Sequence, residues 1–198
     1  NRRGFQFIKN LRDKYKISAE NRIIGIVGRV EKYKGHEDLI LAYSLLKKTF
    51  QSKIQLIFIG SGHKLEIDRL TKLQNSLDFE NPIIFTGYIE GESKSIIEQM
   101  DMLCMVTKDF EGFGLTIGEA MLSNVPVLVT RVGAIPEFVF DDIASIVNPE
   151  SPHQICTHLE EFIKDPKLFK KKADKASKYI QKFNPERMVN NLKYIFNN

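Results

Sequence analysis

Short apolar runs alternate with stretches of helical spacing along most of this chain, and this alternation constrains its fold more than any other feature. The run 22–30, RIIGIVGRV, is short, β-branched and closed by Gly28, which is typical of a buried strand. The stretch 36–50 that follows has its apolar residues at helical spacing. Strands that are apolar on both faces and separated by single helices predict a parallel sheet covered on both sides.

The alternation continues to residue 148, and residues 151–198 favour two or three further helices, with Pro166 and Pro185 at helix starts. Because crossovers between parallel strands are right-handed, such a sheet is doubly wound. We therefore predict an α/β fold with a doubly wound parallel sheet of about six strands, helices on both faces and extra C-terminal helices. The further strands are expected at 54–62, 82–89, 101–107, 125–132 and 144–148, and the further helices at 64–77, 92–100 and 115–123.

The composition is that of an ordinary globular chain. Of the 198 residues, 42% are apolar and 27% charged, and no window approaches 18 consecutive apolar residues. No signal peptide is visible, so we expect a cytoplasmic protein. Cys104 and Cys156 lack C-x-x-C spacing and are expected as buried, reduced thiols. No His/Cys cluster has metal-ligand spacing, so neither a metal nor a resident cofactor is predicted.

The net charge of +4 is unevenly distributed. Residues 1–22 carry seven Lys or Arg against two acids, and residues 164–193 carry ten against three. Solvated helix faces are the ordinary explanation, and a positive surface facing anionic lipid at the inner face of a membrane is the alternative. Nucleic acid is not the expected partner, because the basic runs lack interleaved exposed aromatic residues and a known binding motif.

Polar and glycine-rich segments follow the predicted strands, where open α/β sheets bind ligands. After the first strand, GRVEKYKG (28–35) places Arg29 and Lys34 just before a helix, which suits a diphosphate. The segment is neither a Walker A loop nor a G-x-G-x-x-G turn. GSG (60–62) is compatible with a turn, and TGYIEG (86–91) with backbone groups presented to a flat base.

The segment 110–130, FEGFGLTIGEAMLSNVPVLVT, holds two acids eight positions apart in small, apolar surroundings. A helix is predicted to begin near Leu115, which leaves the amides of 113–116 as free donors for an anion. Glu119 falls about one turn inside this helix, and a carboxylate in such a place needs donors. Sugar hydroxyls are such donors, so Glu111 and Glu119 are interpreted as groups that bind hydroxyls.

EGFGLTIGEA resembles the E-x7-E motif of the retaining nucleotide-sugar glycosyltransferases of glycosyltransferase family 4, which have the GT-B fold. GRVEKYKG is similar to the family's G-R-x-x-x-x-K-G phosphate loop, and FIGSG followed by IIFTGYI is similar to its central strands. VPVLVTRVGAIPEFV resembles its P-V-x-x-(S/T)-x-x-G-x-x-E segment. These segments occur in the family's order from about residue 22 to 160, so the resemblance implies one Rossmann-like half of a GT-B enzyme.

The resemblance also implies roles for individual residues. Arg29 and Lys34 would bind the diphosphate and stabilise the leaving group, and Glu111 would contact the hydroxyls of the donor sugar at the reaction centre. Glu119 would hold the ribose, and Glu137 would support the loop. His36 either approaches the phosphates or is a surface residue at a helix start. The remaining substrate-binding positions are Gly112, Phe113, Gly114, Leu115 and Thr116, along the loop and its helix amides, and Tyr88 and Ile89, which would flank the base.

The implied reaction is metal-independent transfer of a sugar, with retention, from a UDP- or GDP-linked donor to a glycan or lipid-linked acceptor. A nucleotide-sugar epimerase of the same fold and a non-catalytic sugar-nucleotide-binding module are the alternatives. A pyridoxal-phosphate-dependent phosphorylase would need a Schiff-base lysine in a characteristic context, which is not found. A nicotinamide dehydrogenase would need a glycine-rich turn after the first strand, and GRVEKYKG is not such a turn.

Everything matched belongs to the C-terminal, donor-binding half of such enzymes, and residue 1 is Asn rather than Met. We therefore expect a fragment whose N-terminal domain is missing. Residues 1–20 are expected as a basic linker helix, 21–184 as the nucleotide-sugar-binding domain, and 185–198 as a helix packing back toward the missing domain. The apolar residues of that helix, Met188, Leu192 and Ile195, would be either partly uncovered or packed on this domain.

The sequence departs from the family pattern at supporting positions. Asn124 stands where members commonly have glycine, and Thr107 and Lys108 stand where they commonly have Pro-Ser. SIVNPES (145–151) lacks the common G-x-L-V form. These departures leave the class unchanged and weaken any inference about the particular sugar.

Overall fold

The computed structural model describes residues 10–183, and they contain one six-stranded parallel sheet. The strand order β3-β2-β1-β4-β5-β6 reverses direction between β1 and β4, which is the doubly wound arrangement. The predicted fold class is confirmed. The strands are β1 (Arg22–Val27), β2 (Ile54–Ile59), β3 (Ile84–Gly87), β4 (Met102–Met105), β5 (Val127–Thr130) and β6 (Ser145–Val147).

Helices cover both faces of the sheet, because successive strand residues point to opposite sides. Ile23 and Ile57 belong to one core cluster, and their neighbours Ile24 and Phe58 belong to the other. The helices are α1 (Leu11–Tyr15), α2 (His36–Leu45), α3 (Lys48–Gln51), α4 (Lys64–Asn75), α5 (Ser93–Ile97), α6 (Leu115–Leu122), α7 (Ile135–Phe138), α8 (Pro152–Lys164) and α9 (Pro166–Ile180). The first cluster includes residues of α5, α6 and α7, the second residues of α2, α4 and α8, and α9 contributes to both.

The single helix predicted over 36–50 is wrong, since the chain forms α2 and α3 with a break at Leu46. The buried side chain of Gln51 explains the break. Its amide donates to the carbonyl oxygens of Tyr43 and Leu46 at 3.2 and 3.0 Å, which satisfies groups at the end of α2. The short helix α7 was not predicted, because four residues are too few to show a helical period.

The basic helix predicted over residues 1–20 is much shorter in the part that is described. Only Leu11–Tyr15 is helical, and Lys16 follows in a left-handed conformation. Leu11 is fully buried, and Arg12 lies 3.3 Å from the carboxylate of Asp101, so this segment packs on the domain. Its connection to a preceding domain stays a prediction. Met188, Leu192, Ile195 and the rest of 185–198 lie outside the described residues.

Asn124 follows α6 with φ +57, a left-handed conformation that glycine adopts without strain. This geometry explains why glycine is common at this position in the family that the sequence resembles. We expect Asn124→Ala to have a free energy of unfolding about 1 kcal/mol lower than Asn124→Gly. Both variants lose the 2.8 Å hydrogen bond to Asp174, so the difference isolates the backbone strain. Urea unfolding tests this, and an alanine variant as stable as the glycine variant would contradict it.

The two cysteines are free and buried, as predicted. Burial raises the pKa of both thiols, which keeps them protonated. Within residues 10–183 no helix is long and apolar enough to cross a membrane.

Candidate active site

Two adjoining cavities open at the carboxyl end of the sheet, beside the point where the strand order reverses. The larger has a volume of about 360 Å³ and the smaller about 280 Å³. Val27, Gly28 and Arg29 line both, so the loop after β1 is their common wall. Together they form one cleft, which is where such folds bind ligands.

The larger cavity contains a close ion pair. Lys34 Nζ lies 2.7 Å from Glu111 Oε2, and the two side chains are only 20% and 13% exposed. Lys34 ends a single 3₁₀ turn, Lys32–Lys34, and Gly35 follows with φ +75. A β-carbon on Gly35 would lie 1.8 Å from the carbonyl oxygen of Val106, so only glycine lets this loop meet the end of β4.

Thr107 and Lys108 fix the loop of Lys34 against the loop of Glu111. The Thr107 hydroxyl and the Lys108 amide both donate to the carbonyl oxygen of Tyr33, at 3.0 and 2.7 Å. Lys108 Nζ also lies 3.1 Å from the buried carboxylate of Asp38. Burial raises the pKa of Asp38, and Lys108 opposes this by favouring the charged form. The sequence marked these two residues only as departures and missed this role.

Gly133 supports Glu111 from the other side. It has φ +53, and a β-carbon there would lie 2.1 Å from the carbonyl oxygen of Glu111. The amide of Ala134 donates to that same oxygen at 3.1 Å. Sequence reasoning did not single out Gly133, although it is the glycine of the segment VPVLVTRVGAIPEFV. Glu137, expected to support the loop, is exposed on α7.

Arg29 lines both cavities but does not contact Lys34 or Glu111. Its guanidinium lies 2.7 Å from Glu31, and its side chain is 69% exposed. Exposed ion pairs of this kind contribute little free energy, so Arg29 can exchange Glu31 for another anion at low cost.

The start of α6 faces the larger cavity. Gly114 precedes the helix with φ +64, and none of the described side chains caps it. Leu115 and Thr116 therefore present the positive end of the helix dipole to the cavity. Phe113 lines the cavity and stacks on Phe138 with ring centroids 5.4 Å apart. Gly112 lies in the same loop, next to Glu111.

Glu119 is not among the residues that line either cavity, but a hydrogen bond connects it with the smaller one. Ser93 lines this cavity and its hydroxyl donates to Glu119 Oε2 at 2.7 Å. Tyr88, which is 72% exposed, and the buried Ile89 form another part of the lining. Ser93 was not predicted, because a serine at a helix start is common and gives no signal by itself.

His36 is neither a phosphate contact nor a surface residue, and both predicted alternatives are wrong. The side chain is 1% exposed and packs edge-on against Phe58, with centroids 4.9 Å apart. Gly35, the residue before His36, lies so close to the end of β4 that a β-carbon there would meet the carbonyl oxygen of Val106 at 1.8 Å. Within the described part of the chain, neither ring nitrogen has a hydrogen-bond partner.

Burial lowers the pKa of His36 to about 4, so a pH-dependent loss of stability is expected. The unfolded chain takes up this proton near pH 6.5 and the folded protein only near pH 4, so the free energy of unfolding falls as the pH decreases between these values. His36→Phe should remove about 2 kcal/mol of the decline between about pH 7 and 5. The exposed His153→Phe is the control. Equal slopes for wild type and His36→Phe in urea unfolding would refute this.

Among the described residues, no group of three or more His, Cys, Asp or Glu side chains is arranged to hold a metal ion. The polar groups that line the cleft instead include two cations, the carboxylate of Glu111 and helix amides, and a second carboxylate, that of Glu119, is hydrogen-bonded to Ser93 of the lining. This set can bind an anion beside a group rich in hydroxyls.

The sequence profile of the family described as "Glycosyl transferases group 1" matches residues 7–183. The chain belongs to this family. Its structural neighbours are glycosyltransferases of the GT-B type. The crystal structure of Anabaena HepE in complex with UDP-glucose has a TM-score of 0.82 at 22% identity, covering 93% of this chain and 51% of that one. The C-terminal domain of a group 1 glycosyl transferase, LpcC, from Francisella tularensis has a TM-score of 0.76 at 30% identity, covering 86% and 89%.

Two curated relatives give the same class. An uncharacterized glycosyltransferase of Methanocaldococcus jannaschii is 31% identical over 95% of this chain and 47% of its own length. N-acetyl-alpha-D-glucosaminyl L-malate synthase of Bacillus anthracis is 24% identical over 94% of this chain and 48% of its own length. The chain therefore spans about half the length of the curated relatives that it matches.

Proposed function

We propose that this chain is the donor-binding half of a retaining, metal-independent glycosyltransferase of family 4. It would take a hexose-type sugar from a nucleoside diphosphate-sugar, UDP- or GDP-linked, and contribute to its transfer to a glycan or lipid-linked acceptor. The observation that carries the proposal is the Lys34–Glu111 pair at the start of α6, with Arg29 beside it.

The larger cavity fits the diphosphate and the donor sugar. A diphosphate here would meet Lys34 Nζ, the exposed guanidinium of Arg29 and the amides at Leu115 and Thr116. It would displace Glu31 from Arg29, which is inexpensive at an exposed pair. Glu111 would then accept hydrogen bonds from hydroxyls of the sugar, while its contact with Lys34 holds the carboxylate in place.

The smaller cavity fits the nucleoside. Ser93 orients the Glu119 carboxylate, which would accept hydrogen bonds from both ribose hydroxyls. The base would lie between the loops after β2 and β3, against Tyr88 and Ile89. Because the two cavities share the wall formed by Gly28 and Arg29, one extended donor can occupy both.

The transfer step would use the leaving group itself as base. The bond from the anomeric carbon to the phosphate oxygen breaks, and the acceptor hydroxyl forms its bond to the same face of the sugar. The acceptor proton moves to the departing phosphate oxygen. Lys34, Arg29 and the α6 dipole stabilise the negative charge that develops on the diphosphate, and this stabilisation lowers the barrier.

The relatives support this assignment in two ways. HepE has been crystallised with UDP-glucose, UDP, and UDP with glucose, and its fold superposes on nearly all of this chain. The chain covers only about half of HepE and of the curated relatives, which supports a second domain that carries most of the acceptor site. Residues 21–184 would then be the donor domain, and the segments on either side of it would connect to the other domain.

Calorimetric titration of the 198-residue chain with UDP, GDP and ADP and with their sugar conjugates tests the proposal. We expect one nucleoside diphosphate to bind with micromolar to millimolar affinity, equally in Mg²⁺ and in EDTA. Affinity that depends on Mg²⁺ would refute metal independence. Absence of binding both here and in the two-domain protein would refute the donor assignment.

A further inference from the structure

A row of lysines lies on the solvent face of α9 and the turn after it. Its members are spaced three or four residues apart, which places them on one side of a helix about 20 Å long, opposite the buried side. This lysine face comprises Lys167, Lys171, Lys175, Lys178 and Lys182.

The charge of the lysine face is almost unneutralised. Within residues 10–183, Lys167, Lys171 and Lys178 form no ion pair. Lys175 lies 3.7 Å from Asp142, but both side chains are 62% exposed, so this pair is weak. Asp174 is the one acid of α9 and lies beside the row. Its carboxylate contacts Asn124 and Lys170 and, in the described part of the chain, forms no ion pair with a lysine of the row.

Two large apolar side chains are exposed at the ends of the lysine face. Leu168 follows Lys167 and is 46% exposed, and Phe183 follows Lys182 and is 51% exposed. Phe183 packs edge-on against Tyr179 with ring centroids 5.4 Å apart, and its exposed part and the side chain of Leu168 can insert between lipid headgroups.

We propose that the lysine face binds the surface of a membrane that contains anionic lipids. A row of cations along one side of a helix fits a plane of phosphate groups, and the flanking apolar residues fit the boundary below it. A nucleic-acid surface would instead favour aromatic residues on which bases stack among the cations.

Two ring contacts lie between the larger cavity and the C-terminal end of α9. Phe113 of the larger cavity stacks on Phe138, and Phe140 packs edge-on against Tyr179 of α9 with centroids 4.9 Å apart. A membrane on this face would therefore lie close to the site of transfer, which suits a lipid-linked acceptor. That last consequence rests on the proposed function, whereas the membrane contact does not.

Co-sedimentation of the 198-residue chain with vesicles tests the contact. We expect binding to vesicles of equal parts phosphatidylglycerol and phosphatidylcholine, and little binding to phosphatidylcholine alone. The triple variant Lys167→Gln, Lys171→Gln, Lys178→Gln should bind roughly 100-fold more weakly, at about fivefold for each lysine. The control is Lys53→Gln, Lys64→Gln, Lys72→Gln, which removes the same charge from exposed positions near β2 and on α4.

Each outcome decides for or against the lysine face. Retained binding by the control and loss by the α9 variant support it. Equal loss in both variants would mean that only net charge matters, and failure of the wild type to bind would refute the proposal outright. Competition by duplex DNA at equal phosphate concentration would assign the face to nucleic acid instead. Circular dichroism of the variants checks their fold, and nucleotide titration tests the proposed function separately.

Discussion

Replacing Lys34 with methionine is expected to lower the turnover of the two-domain enzyme by roughly 100- to 1,000-fold, with a smaller change in donor affinity. The ammonium group lies in the larger cavity at 2.7 Å from Glu111. Its charge is most useful when the diphosphate leaves, because negative charge then accumulates on the phosphate oxygen. In the proposed site Arg29 and the α6 amides would also bind the ground-state diphosphate, so loss of Lys34 would fall mainly on the reaction step.

Lys32→Met is the matched control, since Lys32 belongs to the same 3₁₀ turn but is exposed. In both variants methionine removes the positive charge and keeps a side chain of similar length. Lys34→Met also leaves Glu111 without its partner at a poorly exposed position, which costs stability. Thermal unfolding therefore accompanies the kinetics, and Lys34→Met with Glu111→Gln separates the two effects. Turnover by Lys34→Met within threefold of Lys32→Met would overturn the role of Lys34.

The order of elements was predictable from the sequence because it depends on local patterns. The strands are mostly apolar because helices cover both faces of the sheet, and the longer helices α4, α8 and α9 show their buried side at regular spacing. The predicted ends of the strands were less accurate. The run 22–30 gives a strand that ends at Val27, and beyond it only an isolated bridge between Val30 and Gly62 continues the pairing.

The positions of the candidate residues were predictable, but their partners were not. Both Lys34 and Glu111 follow strands of the predicted sheet, whose carboxyl ends meet at one edge, and the structure brings their side chains together there. Arg29 was expected at the diphosphate, and it forms an ion pair with Glu31. The spacing of residues in the sequence does not predict such a side-chain contact. Gly133 is necessary because its loop passes close to the backbone of Glu111, 22 residues earlier in the chain. The residues around Gly133 in the sequence do not indicate this contact.

His36 shows how a local pattern can mislead. Its neighbours, KGHED, are polar, and a first helical residue is commonly exposed. The ring packs instead against Phe58 of β2, which lies far from His36 in sequence. The same limit applies to Gln51, whose burial ends α2 although the apolar spacing continues.

Replacing Glu119 with alanine is expected to weaken binding of the nucleoside diphosphate by roughly 100-fold. Two hydrogen bonds from ribose hydroxyls to a carboxylate contribute about 1.5 kcal/mol or more each. The same change should abolish the preference for the ribonucleotide over its 2′-deoxy analogue, because the group that reads the hydroxyl is gone. Calorimetry on the 198-residue chain with both nucleotides measures the two effects together.

Ser93→Ala distinguishes orientation from contact. The Ser93 hydroxyl donates to Glu119 at 2.7 Å. Removing this hydroxyl leaves the Glu119 carboxylate present but less firmly oriented. We expect a weaker preference for the ribonucleotide, between those of wild type and Glu119→Ala. Glu98→Ala, at the exposed far end of α5, removes the same charge as Glu119→Ala and should change nothing. If Glu119→Ala still prefers the ribonucleotide as wild type does, the ribose lies elsewhere in the cleft and the smaller cavity is not the nucleoside site.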